Sequence, residues 1–525
     1  MNSQKSKFVY ACRTSNGAVS LPTPDPSGKS SGRLTLFFKS VRGLNLPRLL
    51  QYMSEASRES LEDTFLLAFH IRDCRGGKGE RDIGRKALIW LFINSPKSFE
   101  KVMHLIPEYG RWDDLLYFFP KVLDLSDIKF VRSNYCSPIR NEKQLVRLRE
   151  LQQKVVKLFT NKIKNDVKRM KDGSPCSLAA KWAPTEGDSM DRQFGVYSTL
   201  ANEMKVSNRS LRKNYLSPLR AYLKIVERFM CNRQWDNINY NNVPSYAMKR
   251  LKKSFEKHDE KRFQVWSEVL KMNDPSIARV NAKQLHPHEL VREIRRNMAA
   301  DDVCIAQWSV LEEECKKKGT LNSDIAVIDT SSSMHTPNYL PFDVACAMGL
   351  LISKCSVGPF QNYVFTFNST PQFAYIPDTN LYQRWYTLSN ISWGGSTNLQ
   401  GTFELILGRA KEYKLSQDDM PKRLWIISDM QFNQVDYGHY TNFEAIDKMY
   451  RQAGYTRPRI VFWNVIGDTN DFPVSVGDDG TALISGFSPS IMKAVLSKDG
   501  SFSPYGIMRK SLDDTRYSRV LEALS

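Results

Sequence analysis

From Leu34 to about residue 320, apolar residues recur at spacings of three and four. "NLPRLLQYMSEASRESLEDTFLLAFHIRDC" and "RGGKGERDIGRKALIWLFINS" show this first, and the period predicts amphipathic helices. "PKSFEKVMHLIPEYG", "RWDDLLYFFPKVLDL", "NEKQLVRLRELQQKVVKLFTNKIKNDVKRMKDG", "SPLRAYLKIVERFMCNRQW" and "FQVWSEVLKMN" continue it. Helices paired by short turns imply a solenoid of stacked hairpins. No repeat of fixed period stands out, so the expected repeats are degenerate. Residues 1–33 hold "SLPTPDPSGKSSGR", a Pro-, Ser- and Gly-rich stretch that reads as an extended or mobile arm.

After about Leu321 the period changes. Nearly unbroken apolar runs predict strands at "DIAVIDT", "NYVFTFN", "RLWIISDM", "RIVFWNVIG" and "TALISGF". Helical patterns lie among them at "FDVACAMGLLISKC", "LQGTFELILGRAKEYK" and "NFEAIDKMYRQAG", with "SPSIMKAVLS" after the last strand. Strand–helix alternation of this kind predicts a doubly wound parallel sheet. The fold class is therefore α plus α/β. An arm over 1–33 leads to a HEAT-like α-helical repeat domain over 34–320, and a Rossmann-like domain over 321–525 follows. "EEECKKKGTLNS", Glu312 to Ser323, is the expected exposed junction.

Charge sharpens that division. The 525 residues carry 75 Lys and Arg against 56 Asp and Glu, a net charge of +19. From Leu321 onward there are 17 basic and 20 acidic residues, which leaves 58 basic and 36 acidic in the first 320. The whole positive excess belongs to the helical part. Such a surface suits a polyanion, nucleic acid ahead of an anionic membrane. Nine cysteines without a Cys-x-x-Cys indicate neither a disulfide framework nor a zinc site. No run reaches the length of a membrane span, and the expected location is the cytoplasm.

Candidate chemistry gathers at the carboxyl ends of the predicted strands, where ligands bind in open α/β sheets. Asp329 ends the first strand in "SDIAVIDTSSSM", and Ser331 and Ser333 open the loop after it. Asp429 ends "RLWIISDM", and Thr397 in "WGGSTNLQ" precedes a helix that returns to the sheet. Two carboxylates and three hydroxyls make an all-oxygen set. It suits a hard divalent cation, Mg²⁺ or Mn²⁺ ahead of Ca²⁺. An aspartyl-phosphate phosphatase would need a second carboxylate two residues after Asp329, where Ser331 stands.

Asp-x-Ser-x-Ser with a distant Thr and a strand-end Asp resembles the metal-ion-dependent adhesion site (MIDAS) of von Willebrand A domains. That resemblance implies that Ser331, Ser333 and Thr397 coordinate directly or nearly so. Asp329 and Asp429 would act largely through waters, and a protein partner would supply an acidic residue to the open position. "FHIRDCRGGKGERDIGRKAL", "LAAKWAPTEGDSMDR", "RKNYLSPLRAYLKIVERFM" and "WDNINYNNVPSYAMKR", with "AVIDTSSSM" and "IISDMQF", extend the resemblance over nearly the whole chain. They resemble a family of uncharacterised proteins of large DNA viruses, plants, fungi and amoebae. Its members join a helical domain to a C-terminal von Willebrand A domain. If the source is viral, location in the host cytoplasm or the virion follows. A more distant likeness is to the Ro and telomerase-associated RNA-binding family, in which a ring of helical repeats binds RNA and an A domain closes the ring.

Within the helical part, "VKLFTNKIKNDVKRMK" and "NRSLRKNYLSPLRAYLK" mix cations with aromatics. Lys164, Lys168, Arg169, Lys171, Arg209, Arg212 and Lys213 are the candidate phosphate contacts, and Tyr215 or Tyr222 a stacking surface. Lys181 and Trp182 are candidates for a concave face or for a packing corner. "RGGKGER" lacks the spacing of a phosphate loop and follows a helix, so it reads as a glycine turn whose Arg75, Lys78 and Arg81 can meet phosphate. His258-Asp259 has no second His/Asp set and reads as a surface helix. No Gly-x-Ser-x-Gly, His-Glu-x-x-His or Cys–His pairing is present, which argues against an enzyme and a small-molecule substrate. Two readings remain. One is a non-catalytic RNA-binding scaffold with a metal-dependent, partner-binding A domain. The other is a protein-interaction adaptor without nucleic-acid binding.

Overall fold

The computed structural model describes residues 12–13, 19–21, 23–25, 31–125, 141–317, 319, 321–336, 338–367, 371–391, 399–432, 442–467, 472–497 and 501–525. The helical part opens with α1 (Ser31–Lys39), α2 (Leu46–Glu59), α3 (Leu61–Arg72) and α4 (Arg81–Asn94). Local chemistry sets their ends. Asn45 caps α2 by accepting from the Arg48 N–H at 3.0 Å, and Ser60 caps α3 by accepting from Asp63 at 3.1 Å. The 30-residue α5 (Glu142–Lys171) is capped by Asn141 and buries Leu145, Leu148, Val155, Phe159 and Ile163 on one stripe.

Then come α6 (Val196–Met204), α7 (Ser245–His258), α8 (Glu260–Val269), α9 (Pro287–Asn297) and α10 (Asp302–Lys317). Between α6 and α7 the helical segments are short. Leu211–Leu216 is a π-helical turn between Asn208–Ser210 and Ser217–Tyr222, a feature that recurs at functional sites.

The sheet half contains β1 (Asp324–Asp329), α11 (Leu340–Cys355), β2 (Tyr363–Phe367), β3 (Gln372–Tyr375), α12 (Leu381–Ser389), α13 (Leu399–Glu412), β4 (Arg423–Ser428), α14 (Asn442–Gln452), β5 (Arg459–Asn464) and β6 (Thr481–Ser485). These six strands form one sheet in the order β6-β5-β4-β1-β2-β3, with only the edge strand β3 antiparallel. The order reads 3-2-1-4-5-6, that of a doubly wound sheet. β1 is buried along its whole length. α11 lies so close to it that a Cβ on Gly349 would stand 2.3 Å from Ile328 Cδ1.

α15 (Pro504–Leu512) and α16 (Ser518–Leu524) do not stay with the sheet. They pack among the first helices, and one buried cluster holds Phe37, Phe65 and Leu88 together with Ile325, Phe462 and Val520. Polar ties reinforce it. Asp63 receives Arg33 and Arg509, each at 2.6 Å. Asp73 receives the Arg516 guanidinium and the Tyr517 hydroxyl, the latter at 3.1 Å, and that hydroxyl lies 3.0 Å from His70 Nδ1.

The described residues of the Glu312–Ser323 segment are only partly exposed. Helix α10 runs through it to Lys317, Cys315 and Leu321 are buried, and Glu312 accepts from Arg384 at 3.0 Å. The charges occupy one side of an amphipathic helix whose other side packs. A second tie joins the halves. The fully buried Asp343, in the first turn of α11, receives Arg292 at 3.0 Å and Arg295 at 2.8 Å from α9. Among the described residues no helix is long and apolar enough to cross a membrane.

Candidate functional site

Four of the five oxygen donors meet where β1 and β4 end. Ile328 stands opposite Ile427 in the parallel ladder, so Asp329 and Ser428 emerge side by side. Asp329 is fully buried. Its Oδ1 accepts from the Ser331 N–H at 2.9 Å and its Oδ2 from the Ser428 hydroxyl at 2.6 Å. The Ser331 and Ser333 hydroxyls are 3.0 Å apart. Ser428 also accepts from the Met430 N–H at 2.9 Å, and Met430 is held at φ +68°, a left-handed conformation uncommon outside glycine. Asp429 accepts from the Gln431 N–H at 3.1 Å. Thr397 lies outside the described residues.

This donor set fits a small divalent cation. Neighbouring ligands of an octahedron with bonds of 2.0–2.1 Å lie about 3 Å apart, the separation seen between Ser331 Oγ and Ser333 Oγ. Burial, and then the nearby Asp429 carboxylate, push the Asp329 carboxyl up to about 7, so the pair lacks compensating positive charge. Among the described residues no three His, Cys, Asp or Glu side chains converge on one point. The further donors at this loop are therefore hydroxyls.

The second feature is a cavity of about 1800 Å³. Its walls come from the turn between α3 and α4, the Lys181–Thr185 corner, the π-turn, the start of α7, the Lys283–His286 approach to α9, and Ser488–Ser490 beyond β6. Small-molecule sites are typically 300–1,000 Å³, so this space suits a segment of a polymer. Eleven Lys and Arg line it against six Asp and Glu, so the lining is net basic. Some of these cations are neutralised locally: Arg111 by Asp113 at 2.7 Å, Arg250 by Glu227 at 2.7 Å and Lys283 by Glu314 at 3.3 Å. Arg81, Lys181, Arg212, Arg220 and Arg228 have no carboxylate partner among the described residues.

Two aromatic surfaces accompany the charge. Tyr246 is 44% exposed. Trp182 is half-buried, with the Arg111 guanidinium 4.1 Å from its ring centre. Arg220 fixes this corner by donating to the carbonyls of Ala180 at 2.9 Å and Ala183 at 2.8 Å. Burial pulls its pKa down from the usual arginine value.

The structure distributes the seven candidate phosphate contacts unevenly. Arg212 lines the cavity, while Lys164, Lys168, Arg169, Lys171, Arg209 and Lys213 are not among its lining residues. Arg169 donates to the Pro175 carbonyl at 2.7 Å. Tyr222 donates to Ser174, and Tyr215 packs against the core. Lys181, Trp182 and Arg81 do line the cavity. Arg75 turns away to the Glu108 carbonyl and Lys78 is fully buried. His258 stacks on Trp235 and Asp259 accepts from Tyr240 at 2.5 Å, so both serve packing. Sequence reasoning missed Arg42, Arg72, Arg111, Arg220, Lys249 and Tyr246. They come from segments spread over two hundred positions, and no local pattern marks them.

Comparison with known proteins gives relatives without an assigned activity. Residues 138–321 match a domain of unknown function (DUF2828) and residues 323–518 a second (DUF7788). The chain is 28% identical over 503 residues to the uncharacterised protein L728 of Acanthamoeba polyphaga mimivirus, covering 92% of this chain and 85% of that one. The crystal structure of the Ro (RSR) protein of Deinococcus radiodurans aligns with a TM-score of 0.36 at 13% identity, over 93% of this chain and all of that one.

Proposed function

We propose that this chain is a non-catalytic RNA-binding scaffold whose sheet half is a von Willebrand A-like domain with a divalent-metal site. The cavity carries the reading. Its size exceeds a small-molecule site, its lining is basic, and Trp182 and Tyr246 offer ring faces beside unneutralised cations. Cations that follow a backbone, interleaved with rings on which bases stack, are the chemistry that holds an unpaired strand. In this reading Lys181, Arg212 and Arg228 meet phosphates and Trp182 stacks a base, with Arg111 behind it. Ser331, Ser333 and Thr397 would hold Mg²⁺ or Mn²⁺, with Asp329 and Asp429 supporting it. The bound ion would supply a Lewis-acidic point for a carboxylate of a protein partner. The 3-2-1-4-5-6 strand order and the loop's place at the end of β1 support the site.

Fluorescence anisotropy with a labelled uridine oligonucleotide tests the RNA reading. Binding by the full chain is expected to weaken steeply with salt. Trp182→Ala is expected to lower affinity on the order of ten-fold, in keeping with about 1–3 kcal/mol per stacked base. Failure of the wild-type chain to bind at low salt would leave the adaptor reading in its place.

A further inference from the structure

Glu80 belongs to the glycine turn "RGGKGER" and stands at the N-cap of α4. The backbone there is pinned. The Glu80 N–H donates to the Ile71 carbonyl at 2.9 Å, and the Gly79 N–H to the Asp73 carbonyl at 2.9 Å. A carboxylate in this position ordinarily accepts from the first N–H groups of its helix. Glu80 makes no such bond. It lines the cavity while only 2% exposed, and its Oε1 accepts no hydrogen bond from a described residue. The Lys78 ammonium is engaged elsewhere, by Phe37, Ser40 and Ser485. Oε2 meets Arg42 Nε at 3.4 Å, longer than the roughly 2.7–2.9 Å of a strong charge-assisted bond. A buried carboxylate oxygen left bare is costly.

The surroundings narrow what can satisfy it. The lining is net basic, which disfavours a cationic donor and leaves a neutral one. The Arg42 side chain is 39% exposed and lines the same cavity. Its guanidinium carbon stands 4.7 Å from the Phe487 ring centre, and its terminal nitrogens make no hydrogen bond among the described residues. The Tyr246 hydroxyl is near enough to feel the charges of Arg42 and Glu80, and Tyr246 too lines the cavity. A carboxylate, a guanidinium and an exposed ring therefore border one corner.

We infer that this corner reads an unpaired guanine base. Guanine sets two adjacent donors, N1–H and the 2-amino group, on its Watson–Crick edge, and these match the two oxygens of Glu80. Its O6 and N7 lie beside that edge and accept from the terminal nitrogens of Arg42, the commonest specific contact of arginine with a base. Tyr246 supplies the stacking face. Arg42 swings from Glu80 onto the base and so opens the carboxylate to the cavity. Adenine and cytosine each carry an acceptor nitrogen beside the amino group, and uracil flanks its one N–H with two carbonyls. Each of these turns a lone pair toward the carboxylate. A site built on buried hydrogen-bonding groups rejects ligands that leave them unpaired. The inference rests on the cavity reading above and adds a base preference to it.

The test uses the full chain and short uridine oligonucleotides carrying one central guanosine, inosine or adenosine, read by fluorescence anisotropy. Guanosine is expected to bind about ten-fold tighter than adenosine, the size of one good bidentate pair. Inosine, which lacks the 2-amino group, is expected to fall between them. Glu80→Gln and Arg42→Gln are each expected to bring the guanosine-to-adenosine ratio to within two-fold of one. The ratio is read because a folding defect lowers all the affinities alike. Arg42→Gln, at a partly exposed side chain, carries the test should Glu80→Gln fail to fold. Absence of binding to every oligonucleotide at low salt would remove the cavity reading, and the base preference with it. Equal binding of all three by the wild-type chain would overturn the guanine readout and leave the cavity reading standing. A ratio kept in both variants would overturn the assignment to Glu80 and Arg42, and inosine matching guanosine would overturn the two-donor contact.

Discussion

Lys78 ties the helical half to the sheet, and removing it should reveal how much that tie is worth. Its side chain is fully buried. Nζ donates to the Phe37 carbonyl, to the Ser40 carbonyl at 3.2 Å and to the Ser485 hydroxyl at 2.6 Å. The first two are carbonyls at the end of α1, where a helix leaves acceptors without intrahelical partners. Ser485 closes β6. Lys78→Met keeps the stem and removes the donor. Phe37 retains a bond from Ser485 at 3.3 Å, so the Ser40 carbonyl is the group left bare, at a cost of about 1–3 kcal/mol.

The pH dependence is the sharper readout. Burial lowers the Lys78 pKa from 10.5 to about 7. Between those values the unfolded chain binds a proton that the folded chain does not, so stability rises with pH, by about 1.4 kcal/mol per pH unit. Below pH 7 the folded state carries the full burial cost of the ammonium. Urea unfolding followed by tryptophan fluorescence at pH 7.5 and 9.5 measures the difference between wild type and Lys78→Met. That difference should grow by about 2.5 kcal/mol over the interval. A constant difference would mean that Lys78 stays charged in the fold, and would refute the burial argument.

Other outcomes follow from the same contacts. Asp343→Asn should destabilise the chain by about 3 kcal/mol, since one carboxylate serves both Arg292 and Arg295; a double-mutant cycle with Arg295→Gln should show coupling, and additivity would refute it. Gly349→Val should raise protease sensitivity strongly, because its first added carbon already overlaps Ile328. Ser331→Ala with Ser333→Ala should abolish the Mn²⁺ heat seen by calorimetry while the circular dichroism spectrum holds, and unchanged heat would remove the metal site. A truncation after Ser503 should unfold the first helices, because Asp63 and Asp73 lose Arg509, Arg516 and Tyr517; a native-like melt would show the halves to be independent.

The sheet was legible because parallel strands buried on both faces read as unbroken apolar runs. All five expected strands are present, and the Asp329 loop stands at the end of the first. The edge strand β3 escaped notice because "QFAY" is short and half-exposed. α15 and α16 were also missed, and their docking on the first helices depends on Asp63 and Asp73, more than four hundred positions away. The charge imbalance identified the basic half. It could not separate cations on an outer helix such as Lys168 from cations facing inward such as Lys181. That distinction comes from tertiary packing, which composition does not encode.

Photo-crosslinking tests the central claim most directly. The full chain would be irradiated with a 4-thiouridine oligonucleotide and the adducts mapped by mass spectrometry. Adducts at Trp182, Tyr246 or Lys181, lost when unlabelled single strand competes, are the expected result. Adducts confined to residues outside the cavity, with those three unmodified, would contradict it.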